Sequence, residues 1–167
     1  MTTKRTPRPN EKIRASFQTL LDPHQRILVV DDDEDLRRVN TEVLSGCGYK
    51  VDAAADGAIA WTTLQLNSYD LLITDHQMPK VTGMELLKKL RAARMVLPVI
   101  LVSGTIPTHE MSRHPWLRID ATLLKPYTPD ELRVTVRKVL YATDGFPEQA
   151  APPPNWPDPP TADRLQL

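Results

Sequence analysis

Two short apolar runs in the sequence end in carboxylates. Residues 27–30 are followed by Asp31 and Asp32, and residues 71–74 are followed by Asp75. Such runs are typical of buried parallel strands, and acids at their carboxyl ends lie where open α/β sheets bind ligands. Carboxylates held close together repel one another unless a cation lies between them, and Mg²⁺ prefers oxygen ligands. The pattern predicts a divalent metal site.

Two further apolar runs end in a hydroxyl and an ammonium group. Ser103 follows residues 99–102, and Lys125 follows Leu124. A serine hydroxyl can donate to a phosphate oxygen, and a lysine supplies a mobile positive charge. A carboxylate can form an acyl-phosphate intermediate, and Asp75, at the end of a central strand, is the natural nucleophile. Together these residues predict Mg²⁺-assisted phosphoryl chemistry.

The apolar spacing between these runs predicts alternating strands and helices. The predicted strands are 27–30, 50–54, 71–74, 99–102 and about 121–124. The predicted helices are 33–45, 56–66, 82–94, a short one near 108–114, and 128 to about 141. This alternation predicts an α/β fold, a doubly wound five-stranded parallel sheet of order 2-1-3-4-5 with helices on both faces. The crevice would open beside the first and third strands.

The chain divides into one predicted domain and two extensions. Residues 1–25 are polar and proline-punctuated, with spacing for at most a short helix, and residues 26–143 form the domain. Residues 144–167 form a proline-rich tail that we expect to be extended or disordered. A peptide-recognition role for the tail, anchored by Trp156, is the less favoured interpretation.

Composition excludes several classes of partner. The 21 basic and 21 acidic residues balance, so no overall field predicts direct binding to nucleic acid or to a membrane surface. The single cysteine, Cys47, excludes an internal disulfide and is expected to be a small buried filler. No apolar run is long enough to span a bilayer or to serve as a signal peptide. We therefore expect a cytoplasmic protein.

The motifs from about residue 26 to residue 142 resemble the receiver domain of two-component response regulators. The matching stretches are Ile-Leu-Val-Val-Asp-Asp at 27–32, Leu-Leu-Ile-Thr-Asp-His-Gln-Met-Pro at 71–79 with Gly83, Val-Ser-Gly at 102–104, and Leu-Lys-Pro at 124–126. The resemblance implies that Asp75 accepts a phosphoryl group from a sensor histidine kinase or a phosphotransfer protein. The implied Mg²⁺ ligands are Asp31, Asp32, Asp75 and the backbone carbonyl of Gln77. It also implies that Ser103 is the switch hydroxyl, that Lys125 assists the phosphoryl group, and that the Lys125–Pro126 bond is cis.

The chain departs from the family pattern at one position. Three residues before the lysine, the family usually places an aromatic residue that turns inward when the hydroxyl moves, and this chain has Thr122. Trp116 is a candidate substitute for that aromatic. We expect His76 to line the rim of the site, and His109 and His114 to be surface residues.

Three functions compete on the sequence. The leading hypothesis is a stand-alone signalling switch or phosphoryl shuttle without an output domain, acting on an unknown downstream protein and not an enzyme beyond its own phosphorylation and dephosphorylation. A phosphorylation-independent interaction domain is the first alternative, and Thr122 favours it. An aspartyl-phosphate phosphohydrolase of the haloacid-dehalogenase type is the second, because Asp31 and Asp33 have the required spacing. Against it, Asp35 replaces the expected Thr or Val, and no later acidic pair is present.

Overall fold

A computed structural model of the protein describes residues 25–143. The predicted N-terminal extension and the proline-rich tail lie outside the described residues, apart from Gln25. The strands are β1 Arg26–Val30, β2 Lys50–Ala54, β3 Leu71–Asp75, β4 Val99–Ser103 and β5 Ala121–Leu124. The helices are α1 Glu34–Gly46, α2 Gly57–Leu66, α3 Gly83–Ala92, α4 Thr108–Arg113 and α5 Pro129–Thr143. A 3-10 turn, Pro115–Leu117, follows α4.

The five strands form one parallel sheet in the order β2-β1-β3-β4-β5, which confirms the predicted topology. Val30 lies opposite Thr74, and Asp75 lies opposite Val102. This register makes the carboxyl ends of β1, β3 and β4 level with one another, and neighbouring strands are about 4.8 Å apart. This alignment brings the residues that follow the strands to one edge.

Side chains that alternate along the strands divide the core into two layers. On one face, Leu28, Leu72 and Leu101 pack with apolar residues of α2 and α3. On the other face, Ile73 and Ile100 pack with apolar residues of α1 and α5. Every residue of β3 and β4 is buried, as expected for central strands covered on both faces. The two layers hold the carboxyl edge of the sheet rigidly in place.

Side-chain caps determine where four of the helices begin. Asp33 caps α1 by accepting from the Leu36 N–H, and Asp56 caps α2 in the same way. Thr82 and Thr128 begin α3 and α5 with capping boxes. The spacing predicts that Asp33 and Asp56 are the first residues of these helices. In the structure each lies one position before its helix, as the N-cap. No helix within residues 25–143 has the length and apolarity needed to cross a bilayer.

The two helices between β3 and β5 differ in how well the sequence predicts their bounds. The prediction that α3 reaches residue 94 was wrong, because the helix ends at Ala92 and Arg94 turns the chain with a φ of 57°. The prediction of a short α4 near 108–114 is confirmed. None of the residues of α4 is buried, so the apolar periodicity that marks a core-facing helix is weak there.

Gly83 allows α3 to begin directly against the end of β3. Its N–H donates to the carbonyl of His76 at 3.1 Å, and a Cβ at this position would collide with the carbonyl oxygen of Asp75. We expect Gly83→Ala to lower the free energy of unfolding by about 3 kcal/mol, because backbone must move to admit the methyl group. Urea unfolding measures the change.

Gly46→Ala is the matched control, because a Cβ at position 46 meets nothing within 4 Å. It should leave stability unchanged or raise it by up to about 1 kcal/mol, since alanine favours a helix. Equal stability of Gly83→Ala and wild type would contradict the tight contact.

Candidate functional site

Asp75 lies at the centre of the carboxyl edge of the sheet. It is the last residue of β3 and only 5% exposed. Its Oδ2 accepts a hydrogen bond from the N–H of Gln77 at 2.7 Å, and its Oδ1 forms an ion pair with Nζ of Lys125. One carboxylate oxygen is thus held by the loop after β3 and the other by the residue after β5.

Asp31 faces the same ammonium group from the end of β1. It is 2% exposed, its Oδ2 lies 3.4 Å from Nζ of Lys125, and its Oδ1 accepts from the N–H of Asp33 at 2.9 Å. The guanidinium of Arg37 donates to the Asp31 carbonyl at 2.7 Å and fixes the loop. Lys125 therefore joins buried acids from two separate strands, a pairing that the sequence did not predict.

Asp32 does not join this buried pair. It is exposed, whereas Asp31 and Asp75 are buried. Within residues 25–143, no group of three or more His, Cys, Asp or Glu side chains is arranged to hold a metal ion. The expected convergence of all three acids is thus only partly present, with two carboxylates meeting at Lys125.

Burial and charge shift the pKa values of both partners. Burial raises the pKa of Asp31 and the charge of Asp75 adds to the shift, while the Asp33 N–H and Lys125 oppose it without cancelling it. Burial lowers the pKa of Lys125, but its hydrogen bond to Asp75 and the charges of Asp31 and Asp75 outweigh burial and raise it. Lys125 thus stays charged at the end of the sheet, in contact with both buried acids.

Ser103 and His76 form a second polar group beside Asp75. Ser103 ends β4 and is buried, and its Oγ lies 3.2 Å from Nδ1 of His76. Nε2 of His76 lies 3.1 Å from Oε2 of Glu110 in α4, and the N–H of Thr105 donates to the Ser103 hydroxyl at 3.4 Å. His76, which the sequence predicts to line the rim of the site, is half-buried and lies between the buried Ser103 and the exposed Glu110.

The sequence did not reveal Glu110. It lies 34 residues after His76, in a stretch with two prolines and weak periodicity. Thr122 is half-buried on β5, and Trp116 is 51% exposed with its ring edge-on to His114 at 5.9 Å. Trp116 therefore contacts His114 and is half-exposed, unlike the inward-turning aromatic residue that is usual in the family. The Lys125–Pro126 bond is cis, as the resemblance implied.

The carboxyl-edge site and the sheet order together define a receiver domain. The family model described as the response regulator receiver domain matches residues 27–137. The chain belongs to this family. Receiver domains are signalling switches that interact with histidine kinases or phosphotransfer proteins, and they are not enzymes in the usual sense.

Similar proteins include both short and long regulators. The chemotaxis protein CheY of Pseudomonas aeruginosa is 30% identical over 123 residues, which cover 72% of this chain and 99% of that protein. The response regulator Rre1 of Synechocystis is 38% identical over 117 residues, 68% of this chain and 51% of that protein. The chain thus spans about half the length of several curated relatives.

One of the similar solved structures was determined in complex with Mg²⁺. The response regulator TrrA of Thermotoga maritima, solved in complex with Mg²⁺–BeF, is 32% identical and superposes with a TM-score of 0.62. The match covers 70% of this chain and 99% of that chain. The likeness therefore extends over nearly the whole of that solved chain.

The raised pKa of Asp31 predicts that its replacement by asparagine, the neutral isostere, increases the stability of the fold by an amount that depends on pH. Because the folded state holds the Asp31 proton more tightly than the unfolded chain does, its charged form costs stability above the raised pKa. Asp31→Asn should therefore unfold at higher urea concentration than wild type at pH 7. The gain should shrink as the pH falls and vanish below about pH 3, where Asp31 is protonated in both states.

Glu42→Gln removes an exposed carboxylate of α1 and serves as the control. It should change the free energy of unfolding by less than about 0.5 kcal/mol across the same range. A pH-independent difference between Asp31→Asn and wild type would contradict the assignment.

Proposed function

We propose that Asp75 accepts a phosphoryl group from the phosphohistidine of a sensor histidine kinase or a phosphotransfer protein. A carboxylate oxygen of Asp75 attacks phosphorus, the N–P bond of the phosphohistidine breaks, and the departing imidazole keeps the electron pair and takes up a proton. The observation that carries the proposal is the placement of a buried carboxylate at the end of β3, with Lys125 against one oxygen. Membership of the receiver family supports it.

The donor set around Asp75 fits a magnesium ion. Two buried carboxylates already share one ammonium group, so the site carries an excess of negative charge and offers hard oxygen ligands. Mg²⁺ is usually bound through one or two carboxylates. The residues that would hold it are the buried Asp31 and Asp75, the backbone carbonyl of Gln77 and the exposed Asp32, which follows Asp31 in the chain. When bound, Mg²⁺ would offset the charge that develops on the phosphoryl oxygens.

Lys125 and Ser103 would stabilise the phosphorylated state. Lys125 supplies a positive charge that already touches Asp75, and Ser103 supplies a hydroxyl from the neighbouring strand. We further propose that the protein acts as a stand-alone switch or phosphoryl shuttle in the cytoplasm and contacts a downstream protein without binding nucleic acid. The CheY relative, which the chain matches over 99% of its length, supports this proposal.

Labelling with a small phosphodonor tests the phosphoacceptor. We expect acetyl phosphate with Mg²⁺ to add one phosphoryl group that strong acid and base both remove, seen by intact-mass spectrometry as one phosphate. Asp75→Asn should abolish the added mass, and removal of Mg²⁺ with EDTA should reduce it at least tenfold, since the ion offsets charge on the phosphoryl group.

Asp35→Asn provides the matched control for labelling. Asp35 is exposed on the first turn of α1, pairs with Arg38, and contacts neither Asp75 nor Lys125. It should be labelled as wild type is. Persistent labelling of Asp75→Asn would refute Asp75 as the acceptor.

A phosphatase assay separates the proposal from the phosphohydrolase alternative. In the structure Asp33 caps α1 through the Leu36 N–H, so its side chain serves the helix. We expect phosphate release from p-nitrophenyl phosphate to stay below one turnover per protein molecule over an hour. Sustained turnover that is lost in Asp31→Asn and kept in Asp75→Asn would favour the phosphohydrolase.

A further inference from the structure

The imidazole of His76 connects the phosphorylation site to helix α4. The ring is 16% exposed, and its two nitrogens contact partners on different elements. Nδ1 lies 3.2 Å from the hydroxyl of Ser103 at the end of β4, and Nε2 lies 3.1 Å from the carboxylate of Glu110 in α4. A continuous polar chain therefore runs from the neighbour of Asp75 to a helix on the surface.

The chemistry of the three groups sets the direction of the hydrogen bonds. The ionised Glu110 carboxylate can only accept, so Nε2 of His76 must donate to it. In the neutral ring Nδ1 is then an acceptor, and the hydroxyl proton of Ser103 must point to it. Ser103 has only one such proton. The hydroxyl cannot donate to His76 and to a phosphoryl oxygen at the same time.

The position of helix α4 depends strongly on this polar chain, because α4 lacks the buried residues that anchor the other helices. It has six residues, and none of them is buried. The apolar anchor of the region is Leu117, which lies beyond the helix in the 3-10 turn. A helix without a buried apolar face gains little from packing, so a partly shielded contact such as His76–Glu110 has a large share in its position.

We propose that Ser103, His76 and Glu110 form a relay that reports the state of Asp75 to α4. The inference rests on the proposed phosphorylation of Asp75. A phosphoryl group on Asp75 offers three strong acceptor oxygens beside β4, and the Ser103 proton turns to one of them. Nδ1 of His76 then loses its donor, the ring reorients, and the contact with Glu110 is released. Helix α4 then moves, because the hydrogen bond between His76 and Glu110 no longer holds it.

The relay supplies a readout that does not need an aromatic residue on β5. Position 122 holds a half-buried threonine, which is too short to follow the hydroxyl across the sheet edge. His76, the residue after β3, contacts Ser103 instead, and its second nitrogen contacts Glu110 in α4. The signal would therefore leave the site through the element that follows Asp75 itself.

NMR spectroscopy of the full chain tests the relay. Beryllofluoride with Mg²⁺ is the probe, and the backbone amide shifts of residues 108–117 report on α4. We expect the wild type to show clear shift changes in α4 and a changed ¹⁵N resonance of His76 Nδ1. In His76→Ala and Glu110→Ala the α4 changes should fall below half of the wild-type value, while the shifts next to Asp75 still respond.

His109→Ala is the matched control, because His109 is an exposed neighbour of Glu110 on the same helix. Its α4 response should equal that of the wild type. An α4 response in both relay variants as large as in the wild type, with intact shifts at Asp75, would overturn the relay alone. Absence of any response beside Asp75 in the wild type would overturn the proposed function and the relay with it.

Discussion

The contact of one ammonium group with two buried carboxylates is the interaction on which this site depends. Asp31 and Asp75 come from different strands, and both are almost fully buried at the sheet edge. Without a cation their repulsion and their loss of hydration would favour protonation or separation of the strand ends. Lys125 supplies that cation from a third strand, so the register of β1, β3 and β5 and the charge of the site support each other.

The surrounding fold serves this edge in two ways. The apolar layers make β3 and β4 rigid, so Asp75 and Ser103 end adjacent strands at a defined separation. The loops beyond the strands are held by capping side chains and by the close approach of Gly83 to β3. Rigid strands and anchored loops let a small change at one carboxylate reach a specific neighbour, which is what a signalling switch requires.

Sequence patterns predicted most of the fold because its elements are strongly periodic. Buried apolar runs identified β1, β3 and β4, the alternation of strands and helices located the less buried β2 and β5, and capping residues such as Thr82 and Thr128 identified the starts of two helices. Prediction was weakest between β4 and β5, where two prolines and an unburied helix leave little apolar pattern. It was also less reliable at the end of α3, because the turn at Arg94 depends on a left-handed backbone that arginine does not signal.

The sequence by itself determined the chemistry at the sheet edge, since each acid, hydroxyl or ammonium group directly follows an apolar run and a parallel sheet must bring those ends together. Only the tertiary structure decided how these groups pair. It separated the exposed Asp32 from the buried acids, placed Lys125 between Asp31 and Asp75, and turned His76 toward Ser103 and Glu110. The physical reason is that side-chain direction and long-range contacts depend on packing around each residue, which periodicity along the chain does not encode.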